Sequence, residues 1–382
     1  MSQRQIGYCT NVHAGPDLGQ TRANLERYAE EVKRRYSPQQ PMGVGLWLAA
    51  PAARQLCASP NELREFADYL REAGLVPFTL NGFPYGDFHR EVVKHDVYLP
   101  TWMAPARLEY TRDLAQVLDA ILPAQLEGTI STLPIGWGAH RDDFEGLQQA
   151  GRQLAALANE LADRESKTGR CLSVCLEPEP GCVMDRAEHI VEFFEQHLLP
   201  MGREAAIRRH VRVCHDVCHS AVMFEPQEEA LRRYRDAGVQ VGKVQVSSAV
   251  ALPLSELGPA DRDAALAQLA AFNEPRYLHQ TVHRDEAGHE RFFEDLAPAL
   301  AALSNVSDGE IRVHFHVPIY LESFSALRTT REQVLECLRE VECDHFEVET
   351  YAWNVLPQEL RHESLAAGIA EELSWFRDQL AS

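Results

Sequence analysis

The sequence has few positive charges, no long apolar segment and no paired cysteines of the kind that bind zinc. Its 37 Lys and Arg are outnumbered by 57 Asp and Glu, and the resulting net charge of -20 disfavours binding to nucleic-acid phosphates. No run of about 18 apolar residues occurs, which excludes a membrane-spanning helix. None of the nine cysteines lies in a C-x-x-C pair, which argues against a zinc ribbon.

The first residues also lack a targeting signal. Met1 to Gln5 contain no apolar core of the kind found in a secretory signal peptide. Several cysteines lie inside apolar strand candidates, where a thiol behaves as a small hydrophobic group. We therefore expect a reduced, cytoplasmic protein that acts on a small molecule.

A short β-rich apolar run, a polar loop and an amphipathic helical pattern recur along the 382 residues. The first seven predicted strands are Ile6–His13, Met42–Ala49, Leu75–Leu80, Thr129–Ile135, Leu172–Glu177, Val211–Val213 and Val241–Ser247. Seven strand-then-helix units in succession predict a parallel sheet with right-handed crossovers. We expect an α/β fold, a (β/α)8 TIM barrel. The alternative is a doubly wound sheet, but no G-x-G-x-x-G follows the first strand.

The C-terminal part contains more strand candidates than a barrel can hold. Tyr277–His283, Ile311–Val317 and Phe346–Tyr351 all have strand patterns. We expect one domain over 1–382, with Tyr277–His283 in an excursion near 273–290 on the catalytic face. Either of the other two candidates could close the barrel.

Side chains that can bind a metal or transfer a proton lie at the predicted C-terminal ends of the strands, where the active site of a TIM barrel is found. A buried carboxylate or imidazole costs several kcal/mol unless something pairs with it, and a divalent metal would do so. The candidates are His13, Glu177, Glu179, Asp216, His219, Gln245, His283, His314, His316 and Glu349.

Three carboxylates follow apolar strand residues. Glu177 precedes a proline and is expected at the barrel mouth, although a solvated loop is the alternative. Asp216 and His219 follow a Val-rich strand, and their alternative is a helix cap with a surface histidine. Glu349 lies near the end of the last strand candidate, where an ion pair with a neighbouring Arg is the alternative.

Two further strands carry polar side chains on one face. Lys243, Gln245 and Ser247 alternate, as expected for a strand that faces a wet or metal-bound lumen, although Gln245 could be a hydrogen-bonded core amide. His314 and His316 also alternate, so both imidazoles point one way. Neutral imidazoles can bind a metal or move protons, and the alternative is a pair of satisfied core histidines. Oxygen ligands mixed with imidazole suit Mn²⁺, Mg²⁺, Zn²⁺ or Fe²⁺.

Three of these patterns resemble the xylose-isomerase-like TIM barrels. They are Glu177 after strand five, Asp216-x-x-His219 after strand six, and Val244–Ser248 of strand seven. This superfamily includes sugar phosphate isomerases and epimerases and repair enzymes of the endonuclease IV type. The resemblance implies that Glu177 and Asp216 are metal ligands and that His219 contacts substrate.

The same resemblance leaves two ligand positions less clear. Strand seven usually supplies a histidine, and the matching residue in this chain is Gln245. The final ligand falls on Glu349, unless Ile311–Val317 is the last strand and His316 takes that place.

A narrower resemblance involves both ends of the chain. Tyr8–His13 and Glu349–Pro357 resemble the EboE group of metabolite traffic proteins, which are barrels encoded in bacterial gene clusters. That resemblance implies other enzymes of the same gene cluster as partners and a secondary-metabolite or lipid-like precursor as substrate.

The expected function is that of a metal-dependent isomerase, epimerase or lyase acting on a small polyol. The metal would chelate adjacent oxygens and a carboxylate or histidine would move the proton. One alternative is a non-catalytic barrel that binds or hands over a metabolite. A less favoured one is an endonuclease IV-like phosphodiesterase, which the negative charge disfavours. The expected roles are catalytic for Glu177 and Glu349, substrate-binding for His13, His219, His283 and His316, and metal-binding for Glu177, Asp216, Gln245 and Glu349.

Overall fold

The computed structural model describes residues 4–381, so most of the first segment discussed above, Met1 to Gln3, lies outside the described residues. A closed barrel of eight parallel strands lies at its centre, which confirms the predicted TIM barrel. The strands are β1 Gln5–Cys9, β2 Met42–Trp47, β3 Leu75–Asn81, β4 Gly128–Thr132, β5 Leu172–Leu176, β6 Val211–Asp216, β7 Val241–Val246, β8 Val250–Pro253, β9 Thr281–Arg284, β10 Glu290–Phe293, β11 Glu310–Val313, β12 Ser323–Phe324, β13 Leu327–Thr329 and β14 His345–Val348. The barrel order is β1-β14-β7-β6-β5-β4-β3-β2, and β1 pairs with both β14 and β2 to close it.

Helices follow the barrel strands along the chain. They are α1 Leu18–Asn24, α2 Glu30–Tyr36, α3 Ala50–Ala58, α4 Pro60–Glu72, α5 Pro105–Ile121, α6 Phe144–Thr168, α7 Ala187–Phe193, α8 Glu204–His210, α9 Val217–Val222, α10 Gln227–Asp236, α11 Pro259–Leu269, α12 Leu296–Leu303, α13 Arg331–Glu340 and α14 Leu365–Ala381. Strands such as β4 and β5 are buried at every residue, as expected for parallel strands covered on both faces. Among residues 4–381, no helix is both long and apolar enough to cross a membrane.

The last barrel strand comes from the Phe346–Tyr351 candidate, which forms β14. The Ile311–Val317 candidate instead contributes β11 to a second, six-stranded sheet inserted between β7 and β14. In β11 only alternate residues are buried, which is typical of an antiparallel strand with one covered face. The excursion expected near 273–290 belongs to this sheet. The strands of the sheet, however, extend from residue 250 to residue 329.

The inserted sheet has the strand order β10-β9-β11-β8-β13-β12, with antiparallel neighbours. Because β8 follows β7 after only three residues, the sheet begins directly at the C-terminal end of the barrel. His314 and His316 follow β11 and line the same cleft as Glu177 and Glu349, which follow barrel strands. The insertion therefore supplies part of the site.

Candidate active site

A cleft opens at the C-terminal ends of the barrel strands and encloses about 540 Å³ of empty space, including the part open to solvent. Its polar lining consists of Asn11, Asn81, Lys94, Glu177, Glu179, His219, His314, His316 and Glu349, together with tyrosine hydroxyls.

Three carboxylates meet at the base of this cleft. Glu177, Asp216 and Glu349 each place an oxygen within 4.8 Å of the other two, and all three side chains are buried. Burial raises the pKa of Glu177 well above its ordinary value, and the nearby Glu349 and Asp216 raise it further. Burial and then Asp216 likewise raise the pKa of Glu349. Charging all three groups together is therefore costly unless a cation is bound between them.

Asp216 is held by the start of α9. Its Oδ1 accepts hydrogen bonds from the backbone N–H of His219 at 2.9 Å and from the hydroxyl of Ser247 at 2.8 Å. The helix-cap interpretation of Asp216 is therefore correct for one oxygen. The other, Oδ2, is buried without a hydrogen-bond partner among residues 4–381 and remains available to a ligand.

Two asparagines hold Glu349. Asn11 and Asn81 donate side-chain hydrogen bonds to Glu349 Oε1 at 2.7 and 2.9 Å. The alternative of an ion pair with an arginine is not what the structure shows. The sequence predictions do not include the two asparagines, because they rest mainly on ionisable side chains at strand ends. Asn81, the last residue of β3, was recognisable from its position alone.

The carboxylate cluster fits a divalent metal. Glu177 Oε2, like Asp216 Oδ2, is buried without a hydrogen-bond partner in the described part of the chain. An unsatisfied buried polar group costs about 1–3 kcal/mol, and more when it is charged. Hard cations such as Mg²⁺ and Mn²⁺ prefer carboxylate oxygens, and Zn²⁺ and Fe²⁺ also accept imidazole. The cluster thus suits the expected class of cofactor and leaves the ion unspecified.

Three imidazoles lie beside the carboxylates with the same hydrogen bond at Nδ1. Each Nδ1 lies near a carbonyl oxygen, which can only accept, so Nδ1 carries a proton. In a neutral ring Nε2 then presents a lone pair. The Nδ1 contacts are His219 with Pro178 O at 2.8 Å, His314 with Gln280 Oε1 at 2.8 Å, and His316 with Glu349 O at 2.5 Å. Burial lowers the pKa of His316 to about 4 and that of His314 well below its ordinary value, so both rings are neutral.

The Nε2 atoms of these histidines converge. His219 Nε2 and His314 Nε2 are 3.2 Å apart, a distance at which two lone pairs repel each other unless a proton or a cation lies between them. His316 Nε2 has no hydrogen-bond partner within residues 4–381. The interpretation of His314 and His316 as fully satisfied core histidines is therefore wrong for His316. These nitrogens can accept hydrogen bonds from substrate hydroxyls or bind a cation.

Gln245 occupies the place where a strand-seven histidine was expected. It lies on β7 in register with Asp216 on β6, and it is fully buried. Neither its amide oxygen nor its amide nitrogen has a hydrogen-bond partner among the described residues. The alternative of a hydrogen-bonded core amide is therefore not what the structure shows.

Two of the predicted substrate-binding histidines do not line the cleft. His13 Nε2 forms a hydrogen bond of 3.0 Å with the hydroxyl of Tyr8, and the His13 ring stacks on Tyr28. The expected strand ends early, and a short 3-10 turn at Thr10–Val12 carries His13 away from the cleft. His283 lies in β9 of the inserted sheet, where Nε2 is 2.9 Å from Asp308 O. These two assignments are corrected, whereas His219 and His316 do line the cleft.

Glu179 joins the barrel to the inserted sheet. Its Oε1 accepts hydrogen bonds from the Tyr98 hydroxyl at 2.6 Å and from Gln280 Nε2 at 3.0 Å. The same Gln280 amide orients His314 through its oxygen. Gln280 was not predicted, because its partners lie 34 to 182 residues away along the chain.

Comparisons with known proteins find solved structures with the same fold. No protein-family model matches the chain, and no curated protein sequence matches it. A xylose isomerase-like TIM barrel protein from Mycobacterium smegmatis, solved in complex with magnesium, is 11% identical over 100% of this chain and 98% of that chain, with a TM-score of 0.54.

Two further structures cover the chain at lower similarity. The probable 3-DHS dehydratase AsbF from Bacillus anthracis is 12% identical over 98% of both chains, with a TM-score of 0.48. A protein provisionally described as a sugar phosphate isomerase/epimerase from Anabaena variabilis is 13% identical over 100% of this chain and 99% of that chain, with a TM-score of 0.47. At 11% identity, the likeness to the magnesium-bound barrel protein shows the TIM-barrel fold and nothing finer.

Proposed function

We propose that the chain is a divalent-metal-dependent isomerase, epimerase or related lyase that acts on a small polyol or secondary-metabolite precursor. The observation that carries the proposal is the meeting of Glu177, Asp216 and Glu349, two of which have a buried oxygen without a partner in the described chain. Gln245, in register with Asp216, is the proposed fourth ligand.

The chemistry divides between the cofactor and the chain. A divalent cation held by these residues would polarise a substrate carbonyl and acidify the adjacent C–H bond. Glu177 and Glu349, whose pKa values are raised by burial, suit proton transfer near neutral pH. The Nε2 atoms of His219 and His316 are proposed to accept hydrogen bonds from substrate hydroxyls, which orients the reacting carbon.

The first test is metal content. The purified protein and its Glu177→Gln and Asp216→Asn variants are loaded with Mn²⁺, desalted and assayed for bound metal. We expect bound metal in the wild type and at least about a tenfold weaker affinity in both variants. Glu225→Gln is the matched control, because Glu225 is also a buried carboxylate but caps the N–H of Ala187 outside the cleft.

The second test is the reaction itself. The Mn²⁺-loaded protein is incubated in D₂O with a panel of unphosphorylated and phosphorylated ketoses and aldoses, and NMR detects deuterium at the carbon next to the carbonyl. An isomerase or epimerase that works by proton transfer, as proposed for Glu177 and Glu349, exchanges that hydrogen with solvent. Exchange that survives removal of the metal by chelator would rule out the proposal.

A second candidate function is a barrel that binds or hands over a metabolite without chemistry. Gln245 favours it, since a neutral amide is a weaker ligand than the histidine usual at this position. Ligand binding without deuterium exchange in any substrate tested would support this candidate. The narrower EboE-type role, with partner enzymes from one gene cluster in the cytoplasm, is supported by the two sequence stretches named above.

We also propose that the barrel and the inserted sheet form one domain. Val244 of the barrel and Val313 of the inserted sheet belong to the same continuous hydrophobic core. Glu179 and Gln280 connect the two parts by a buried hydrogen bond.

A further inference from the structure

The outer wall of the cleft is aromatic. Phe88, Tyr277 and Tyr351 come from three separate segments and line the cleft together. Their ring centroids lie 4.9 Å apart for Phe88 and Tyr277, 5.1 Å for Tyr277 and Tyr351, and 5.5 Å for Phe88 and Tyr351. Phe83 and Tyr98 line the cleft as a further pair at 6.1 Å. An apolar part of a ligand would find its contacts here.

Among the described residues, the cleft has no unpaired lysine or arginine that could bind a phosphate. Lys94 is the one lysine or arginine among its described lining residues, and its Nζ lies 2.5 Å from the carboxylate of Asp295. Arg276, with its guanidinium 5.9 Å from the Tyr277 ring, does not line the cleft. The lining also contains the carboxylates of Glu177, Glu179 and Glu349, which repel a phosphate dianion when they are charged.

The start of α9, at the base of the cleft, has two backbone N–H groups that are already occupied by side chains. Helix N-termini commonly bind phosphate through free N–H groups. At the start of α9, however, the N–H of His219 donates to Asp216 Oδ1 and the N–H of Cys218 donates to Ser247 Oγ. The first of these partners is itself a carboxylate.

We propose that the substrate carries no phosphate, and that it joins an oxygen-bearing end, bound by the carboxylates and histidines, to an apolar ring or short alkyl end held by Phe88, Tyr277 and Tyr351. This inference rests on the proposed function for the site of the oxygen-bearing end. The apolar wall and the missing phosphate site are separate observations.

The test compares three probes by calorimetry, with the full chain in its metal-free and its Mn²⁺-loaded forms. 4-Nitrocatechol has vicinal oxygens on an apolar ring, fructose has oxygens alone, and fructose 6-phosphate adds the phosphate. In both forms we expect 4-nitrocatechol to bind at least about tenfold more tightly than fructose. We expect fructose 6-phosphate to bind no more tightly than fructose.

Substitutions in the aromatic wall test where 4-nitrocatechol binds. Phe88→Leu and Tyr277→Leu each replace an aromatic ring by an aliphatic side chain. We expect each to weaken 4-nitrocatechol binding about fivefold while fructose binding is unaffected. Phe292→Leu, an aromatic 42% exposed and outside the cleft, is the control and should change neither. Bound Mn²⁺, measured in every variant, should stay at the wild-type level.

Two results would overturn the substrate class. One is tighter binding of fructose 6-phosphate than of fructose, above all if Arg276→Ala abolishes the difference. The other is 4-nitrocatechol binding that is absent or indifferent to both ring-removing variants. Failure of the wild type to bind Mn²⁺ would instead count against the proposed function. The relative affinities of the three probes for the metal-free protein would still decide the substrate class.

Discussion

Lys243 Nζ lies 2.5 Å from Glu347 Oε2 inside the barrel, and neither side chain is exposed. Lys243 lies two residues before Gln245 on β7, and Glu347 on β14 lies two residues before Glu349, which follows that strand. The ion pair therefore lies beneath the carboxylate cluster. Gly45 leaves room for it, because a Cβ at that position would come within 1.3 Å of Glu347 Oε1. The ammonium also offsets part of the negative charge above it.

Removal of the ammonium should destabilise the barrel strongly. Lys243→Met leaves the Glu347 carboxylate buried and unpaired, and we expect the free energy of unfolding to fall by about 3–5 kcal/mol. Urea denaturation followed by circular dichroism measures the loss. The double variant Lys243→Met with Glu347→Leu should recover most of it, because no charge is then stranded.

A surface ion pair provides the comparison for that loss. Arg112 and Glu160 lie 2.5 Å apart but are both partly exposed, so Arg112→Ala should cost no more than about 1 kcal/mol. Equal losses for Lys243→Met and Arg112→Ala would show that the buried pair is not structurally important.

Metal binding should stabilise the protein more as the pH rises. Burial raises the pKa values of Glu177 and Glu349 above 4.5, so in the metal-free protein their protonated forms favour folding at low pH and that stability is lost as the pH rises through the folded-state values. Mn²⁺ requires the deprotonated forms. The gain in Tm on adding Mn²⁺ should therefore be larger at pH 8 than at pH 5.5. A gain that does not change with pH would contradict the assignment, and Glu177→Gln with Glu349→Gln should abolish the dependence.

Replacement of Gln245 should change the stability of the metal-free protein and its metal affinity in opposite directions. Gln245→Leu removes a buried amide without partners in the described chain, so the metal-free protein should gain about 1–2 kcal/mol of stability. Mn²⁺ affinity should fall by about tenfold if the amide oxygen is a ligand. Gln245→His should raise Zn²⁺ affinity above that of the wild type, as measured by competition with a chromogenic chelator. Unchanged affinity in both variants would remove Gln245 from the metal site.

Glu372 should impose a pH dependence on folding that is independent of the metal. Burial raises its pKa from 4.5 to about 7, although Thr350 and Trp353 donate hydrogen bonds to it at 2.6 and 2.9 Å. The contribution of protonated Glu372 to folding stability is present below pH 4.5 and is lost as the pH rises through 7. The free energy of unfolding should fall by about 3 kcal/mol over this range. Denaturation of the chelator-treated protein between pH 5 and 8 measures the slope.

The Glu372 variants are compared by slope. Glu372→Gln should flatten the pH dependence whatever its effect on the absolute stability, since the amide also disturbs the Trp353 contact. Glu371→Gln, at a neighbouring carboxylate that is half exposed, should keep the wild-type slope. An unchanged slope in Glu372→Gln would contradict the raised pKa.

Local patterns were enough to predict the barrel and much of the carboxylate cluster. Alternation of apolar strands and amphipathic helices depends on residues near each other in sequence, so β1 to β7 were recognisable. Glu177 and Asp216 were identifiable because each directly follows an apolar strand, and parallel strands of a barrel end at one face.

Other features depended on contacts between distant segments. Whether β11 or β14 closes the barrel is decided by which strand is covered on both faces, and both have similar apolar sequences. Asn11 and Glu349 are 338 residues apart, and no short-range pattern relates them.

The sequence by itself determined the fold class and the chemical identity of the candidate ligands, since periodicity and residue type are local properties. Only the tertiary structure decided which histidines line the cleft, because backbone turns redirect side chains. A 3-10 turn removes His13, and the packing of the inserted sheet over the barrel mouth adds His314 and His316. Burial and unsatisfied hydrogen bonds, which make those groups reactive, arise only when the chain is packed.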